Sequence, residues 1–241
     1  MYSFTSRIRY SEVDENEELS LGGMINYMQD CSTFQSEDLG LGIGYLARNH
    51  RAWWLSSWQI VIARRPRFGE TVTIGTWPYD FKGMYGYRNF TIRDPDGNYL
   101  VKANSVWFFF DTAAGRPVRV RDEDIRGYGT GEEPKLPMEY AERRIRLPEV
   151  YKEGAPVAVT RYHIDTNHHV NNAQYVELAR ECLPDDMNIR QVRVEYKKAA
   201  VLGDILYPRI SNEETGSTVA LCDQNGNVYA AVWLQNDKKR P

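Results

Sequence analysis

His163-Ile164-Asp165-Thr166-Asn167-His168-His169-Val170-Asn171-Asn172 carries three of the four histidines in the chain and leads straight into a helical pattern. Asp165, Asn167 and His169 recur every second residue, so an extended segment would project a carboxylate, an amide and an imidazole from one face. Such a row suits the activation of water. Histidine titrates near neutrality, Asp orients it or takes a proton itself, and Asn holds the water or the carboxylate by hydrogen bonds. Asn171 and Asn172 read as cap residues, because their side chains accept backbone N–H groups at a helix start. A metal centre is the competing reading, since His163, Asp165, His168 and His169 are all acceptable ligands. No distant Cys/His pair and no His-x-x-x-His spacing completes such a site, and nothing in the chain requires a metal or an organic cofactor.

The stretch has a counterpart upstream. Arg9-Tyr10-Ser11-Glu12-Val13-Asp14-Glu15-Asn16-Glu17-Glu18 precedes a helical pattern carrying Leu21, Met24, Ile25, Met28, Cys31 and Phe34, and Arg161-Tyr162 with Asp165-x-Asn167 precedes one carrying Tyr175, Val176, Leu178, Ala179 and Cys182. Each helix is followed by β-rich segments: 52–63, 71–77, 85–93 and 99–110 in the first half, and 191–198, 205–210, 217–221 and 228–234 in the second. The turns correspond too, Phe68-Gly69-Glu70 with Leu202-Gly203-Asp204 and Asp96-Gly97-Asn98 with Asn225-Gly226-Asn227, and both final strands contain Val-Trp, at Val106-Trp107 and Val232-Trp233. The expectation is an α+β chain made of two copies of one helix followed by an antiparallel meander: residues 1–126, a Pro-, Gly- and charge-rich linker at 127–156, and residues 157–241.

Composition narrows the function. A net charge of −3 argues against a general nucleic-acid binder. Basic residues still cluster at Arg64-Arg65-Pro66-Arg67, from Arg116 to Arg126, and at Arg143-Arg144-Ile145-Arg146, as solvated faces or as a docking surface for an acidic partner. Cys31, Cys182 and Cys222 are widely spaced and odd in number, which fits a reducing cytosol. The first residues have no apolar core of the signal-peptide type, and no apolar stretch approaches membrane-spanning length. Gly22-Gly23 and residues 40–44 flank helices and do not form a phosphate cradle.

At this point the sequence resembles the acyl-ACP thioesterases of the plant FatA/FatB type and their bacterial relatives. The likeness rests on Asp165-x-Asn167-x-His169-Val170-Asn171-Asn172, Tyr175, Val194-Glu195-Tyr196-Lys197-Lys198, Tyr10-Ser11-Glu12-Val13-Asp14, Arg65-Pro66-Arg67-Phe68-Gly69-Glu70 and Ala103-Asn104-Ser105-Val106-Trp107. It spans nearly the whole chain. The resemblance implies a double hotdog fold, hydrolysis of fatty acyl thioesters on acyl carrier protein, and catalytic roles for Asp165, Asn167 and His169. One departure stands out: the family commonly has Glu, then Cys or a small residue, where this chain has Ala199 and Ala200. A cysteine nucleophile is therefore absent at that site, and so is the second carboxylate.

Glu195 shares strand parity with Ala199 but lies roughly 13 Å away along an extended chain, and Glu177 or Glu181 would have to turn inward from the helix. The expected mechanism is water activation by Asp165 and His169 with Asn167 orienting, and an oxyanion held by N–H groups at the helix start near Asn171 to Ala173. In the first half Glu18 replaces the histidine, which predicts one active site per chain. The aromatic residues Trp53, Trp54, Trp58, Trp77, Tyr85, Tyr87, Trp107 and Phe108-Phe109-Phe110 read mainly as sheet packing, with alternate positions able to line an acyl tunnel in the first half.

Three alternatives accompany this reading. Coenzyme A is as anionic as the carrier, so an acyl-CoA thioesterase is one. A double-hotdog hydratase is another, although His169 falls one residue too early for the Asp-x-Asn-x-x-His pattern that such enzymes resemble. The missing carboxylate at Ala199 suggests the third, a non-catalytic acyl-binding module. A duplicated chain can pair its own halves, so a monomer suffices, and a homodimer through edge strands fits equally.

Overall fold

Ser20 accepts the Gly23 N–H on its hydroxyl at 2.9 Å and starts α1 (Leu21–Asp38), whose Leu21, Met24, Ile25, Met28 and Cys31 are buried. Burying a side chain of this size contributes roughly 1.5–3 kcal/mol. The helical period also places Phe34 in the chain's apolar stripe, yet it is 45 % exposed and rests against Phe4 with ring centroids 5.5 Å apart. Gln35 takes the inward position beside it. In the computed structural model, which describes residues 1–185 and 187–236, α1 lies on a sheet of strands β1 (Tyr2–Arg7), β2 (Arg51–Ile62), β3 (Thr71–Lys82), β4 (Tyr85–Arg93) and β5 (Tyr99–Asp111), ordered β1-β3-β4-β5-β2. A short α2 (Ile43–Arg48), a two-residue β6 (Arg116–Pro117) and a single turn α3 (Asp122–Ile125) complete this part.

The chain divides into two units. The first is Met1–Ser56 with Ala63–Tyr140, and the second is Ser57–Ile62 with the residues from Ala141 onward. Strand β2 therefore serves one unit with its first half and the other with its second.

The second unit contains β7 (Lys152–Glu153), β8 (Val157–Ala158), α4 (Asn172–Arg180), β9 (Ile189–Tyr196), β10 (Ile205–Glu213), β11 (Gly216–Cys222) and β12 (Val228–Asn236). Its sheet runs from the end of β2 through β9, β12, β11 and β10 to β7, and α4 packs on β11 and β12. Each unit is thus a helix laid on an antiparallel sheet, the hotdog arrangement. The second helix is only nine residues long. Cys182 falls beyond it, because the chain closes with Cys182 N–H on Ala179 O and Leu183 N–H on Arg180 O, after which Pro184 cannot continue a helix.

Most strands match the sequence expectation, and β4 coincides with it. Three differences have local causes. β1 was not foreseen, although its alternating exposure pattern is that of a half-buried strand. β3 continues through Pro78 because a register shift between Pro78 and Asp80 absorbs the missing N–H. β9 stops at Tyr196, since the amides of Lys197 and Lys198 both donate to Tyr229 O, at 2.8 and 3.1 Å, and the alternation breaks there. The parity of Glu195 with Ala199 is lost with it.

The expected aromatic packing is present: Trp54 stacks on Phe110 at 3.9 Å, Trp53 lies 4.6 Å from Phe109, and buried Trp77 donates its indole N–H to Pro134 O. Arg88 on β4 is also buried, its Nη1 donating to Gln35 Oε1 and Thr76 Oγ1 with the Tyr128 ring 5.3 Å from its Cζ. Burial pulls that guanidinium down to about 10.

Candidate active site

Asp165, Asn167 and His169 lie on a tight turn, not on the extended row that their spacing suggests. Ile164 and Val170 form an antiparallel bridge, Asp165 N–H donates to His169 O at 2.8 Å, and His168 N–H donates to Asp165 O at 3.0 Å. His168 takes a φ of +61°, a left-handed conformation that reverses the chain and breaks the two-residue alternation. The carboxylate also shapes the turn, because Asp165 Oδ1 accepts the Asn167 N–H at 2.8 Å as an Asx turn. The turn still opposes Asp165 and His169 across its base, both half-buried, while Asn167 and His168 are exposed at its tip.

Two features hold the turn in place. Asn171 caps α4, its Oδ1 accepting the Ala173 N–H at 2.8 Å, and its own N–H donates to His163 O at 2.8 Å. The Asn171 and Ala173 amides are consequently engaged and stand outside the open oxyanion cradle expected at the helix start. The second brace was invisible in the sequence. Val170 N–H donates to Ala200 O at 2.9 Å, and Ala200 N–H donates to the hydroxyl of buried Tyr175 at 2.8 Å. Burial pushes the Tyr175 phenol up to about 12, against the opposing pull of the Ala200 N–H bond and with smaller help from Tyr229, Asp204 and Asp165. Tyr175 therefore keeps its proton at neutral pH.

The remaining candidates are accounted for differently. His163 Nδ1 accepts the Thr160 N–H at 3.0 Å and closes a short helical turn. Glu195 Oε2 accepts the Ile145 N–H at 3.0 Å and sits 3.5 Å from Lys197 Nζ. Glu181 is exposed and Glu177 half-buried, while Ala199 is exposed and Ala200 fully buried. Among the described residues no three His, Cys, Asp or Glu side chains converge as a metal ion would require.

The first unit repeats the bonds of the turn itself. Val13 and Leu19 bridge, Asp14 N–H donates to Glu18 O, Glu17 N–H donates to Asp14 O at a φ of +60°, and Asn16 N–H donates to Asp14 Oδ1. Leu19 N–H donates to Pro66 O as Val170 does to Ala200 O. This register sets Glu18 at the position of His169 and Arg65 at the position of Ala199. It also corrects one pairing from the sequence, because Arg9 matches Thr160 and the two Arg-Tyr pairs fall one residue out of step. Arg65 fills the space: Nη2 lies 2.6 Å from Asp14 Oδ2, Nη1 lies 3.6 Å from Glu18 Oε2, and Nε donates to Leu19 O at 2.8 Å. The turn in the first unit is a closed ion cluster. Its counterpart at Ala199 has no such cation.

Comparison with known proteins agrees with this architecture. Residues 1–128 match the acyl-ACP thioesterase N-terminal domain and residues 150–236 the C-terminal domain. An acyl-[acyl-carrier-protein] hydrolase from Cuphea viscosissima is 26 % identical over 219 residues, covering 83 % of this chain and 51 % of its own length. The chain thus spans about half the length of that curated relative. Among solved structures, an acyl-ACP thioesterase from Bacteroides thetaiotaomicron superposes with a TM-score of 0.88 at 24 % identity, covering 98 % of this chain and 97 % of the other. A 12:0-ACP thioesterase from Umbellularia californica gives 0.77 at 21 %, covering 97 % and 96 %. At these identities the structural likeness establishes the hotdog fold, and the matched domains, which together cover most of the sequence, place the chain in the acyl-ACP thioesterase family.

Proposed function

We propose that this chain hydrolyses fatty acyl thioesters carried on acyl carrier protein, releasing the free acid and the carrier thiol in fatty acid biosynthesis. The observation that carries the reading is the braced Asp165–His169 turn in a chain of this family. Asp165 and His169 take a proton from water as its oxygen adds to the thioester carbonyl. The C–S bond then breaks, and the proton passes from the imidazolium to the departing sulfur. Asn167 has an exposed side chain with no partner among the described residues, so its amide is available to hold the water or the thioester oxygen. No step uses a metal or an organic cofactor. The three cysteines are unpaired, which supports a reducing cytoplasm, and among the described residues no helix is long and apolar enough to cross a membrane.

A second reading has its own support. Ala199 supplies neither the carboxylate of the family nor the cation of the first unit, as in an acyl-binding protein that has lost turnover. Thiol release from acyl-ACP substrates of graded chain length, beside the same acyl groups on coenzyme A, separates these cases. Faster release from the carrier, abolished by His169→Ala, supports the thioesterase. Faster release from coenzyme A overturns the carrier assignment, and acyl binding without release overturns the catalytic one.

A further inference from the structure

The linker after the first unit carries Arg144 and Arg146 on either side of Ile145, which is 5 % exposed. With Ile145 turned inward, the alternation of extended chain sends the two arginines outward. The segment is pinned to β9 along its backbone: Arg193 Nη2 donates to Glu142 O at 2.6 Å and to Arg144 O at 3.1 Å, and Ile145 N–H donates to Glu195 Oε2. Arg144 and Arg146 themselves have exposed side chains that make no ion pair or hydrogen bond among the described residues. Together with Glu142, Leu147 and Lys197 they line an open cleft of about 410 Å³.

This cleft and the candidate active site belong to the same unit. Lys197 stands at the end of β9, three residues before Ala200, whose carbonyl holds Val170 at the close of the Asp165–His169 turn. A positive surface held rigid by backbone bonds loses little freedom on binding. We propose that Arg144 and Arg146, with Lys197, form the docking surface for the carboxylate-rich face of an acidic carrier protein, an inference that rests on the reading of the turn as a carrier-dependent thioesterase site. One observation favours a carboxylate-rich face over a single phosphate: the arginine Cα atoms stand roughly 6.5 Å apart along extended chain, a spacing that suits several anions. Charge complementarity of this kind chiefly accelerates encounter and weakens with salt.

The test compares the full chain with Arg144→Glu/Arg146→Glu on one hydrolysable acyl group attached to acyl carrier protein, to coenzyme A and to pantetheine, at low and high salt. A charge-matched control, Arg48→Glu/Lys82→Glu, alters exposed residues of the first unit. The proposal expects KM for the carrier substrate to rise at least tenfold at low salt, with kcat within twofold, a flattened salt dependence and less than a twofold change on pantetheine. Arg144→Gln/Arg146→Gln should move KM the same way by a smaller factor. An unchanged carrier KM, a rise shared by pantetheine, or a rise shared by the control overturns it. An equal rise on coenzyme A overturns the choice of a protein face in favour of phosphate. If the wild type turns over none of these substrates, the thioesterase reading fails by itself, and docking is read from binding of holo-acyl carrier protein. Binding at least tenfold weaker in the double Glu variant then supports the surface, and equal binding overturns it.

Discussion

The Tyr175 hydroxyl accepts the Ala200 N–H at 2.8 Å and so ties α4 to the back of the Asp165–His169 turn. Tyr175→Phe removes the acceptor and leaves a buried amide unsatisfied, at a cost of about 1–3 kcal/mol. Because Ala200 O holds Val170, the loss reaches the turn as well. Urea unfolding should show the destabilisation, and kcat on an acyl-ACP substrate should fall several-fold with KM little changed. Unaltered stability would mean that the hydroxyl is no brace.

Asp165 has two roles that one substitution separates. Its Oδ1 holds the Asn167 amide, and its charge is assigned to the chemistry. Asp165→Asn keeps an oxygen that accepts the N–H and removes the charge. Thermal unfolding should therefore stay close to that of the wild type, while kcat drops on the order of 100-fold or more, the scale of lost general base catalysis. Full turnover in this variant would remove Asp165 from the mechanism.

Arg65 suggests how the proposed site could be silenced. A guanidinium at the matching position of the second unit would reach the Asp165 carboxylate as Arg65 reaches Asp14. Ala199→Arg should fold normally, since Ala199 is exposed, and should lower kcat at least tenfold by holding the carboxylate in an ion pair. Arg65→Ala should instead destabilise the first unit by about 1–3 kcal/mol, because it strips charge-assisted bonds from Asp14 and from the Leu19 carbonyl. Turnover in the folded fraction should persist. Activity unaffected by Ala199→Arg would break the equivalence of the two positions.

Glu70 makes the stability of the first unit sensitive to acid. Arg64 bonds both of its oxygens, at 2.5 and 2.9 Å, and with the Arg67 N–H it holds the carboxyl below the usual carboxylate range. A depressed folded value means that the stabilisation is fully present above the unfolded value of about 4.3 and disappears as pH falls through the lower folded one. Urea unfolding of wild type and Glu70→Gln should differ at pH 6 to 7, and the gap should begin to close below about pH 4.3 and vanish as the pH falls further through the folded value. A gap that persists in acid would assign the loss to packing instead of charge.

The duplicated fold was legible because the turn chemistry repeats. Gly69 and Gly203 both adopt the left-handed φ, at +78° and +91°, that a side chain resists, and the loops from Asp94 to Asn98 and from Asp223 to Asn227 make the same hydrogen bonds. The candidate residues were legible as types, but their geometry was not. A two-residue spacing reads as strand, and nothing about His168 or Glu17 announces a positive φ, since neither is glycine. The Arg65 cluster and the Tyr175 brace join residues tens of positions apart, beyond the reach of any local pattern. Pro66 illustrates the limit: it lacks the N–H that Ala200 offers to Tyr175, so the two units close the same frame with different chemistry.

Strand β2 has a consequence for any attempt to take the protein apart. The second unit draws one of its strands, Ser57–Ile62, from the middle of the first. A fragment starting at residue 141 would leave the outer edge of β9 with unpaired amides and carbonyls, a template for sticking to other copies. Severing the peptide between the units is a different matter, because nicked chain still carries both halves of β2. Limited proteolysis in the linker should leave two pieces that elute together, whereas the isolated C-terminal fragment should aggregate.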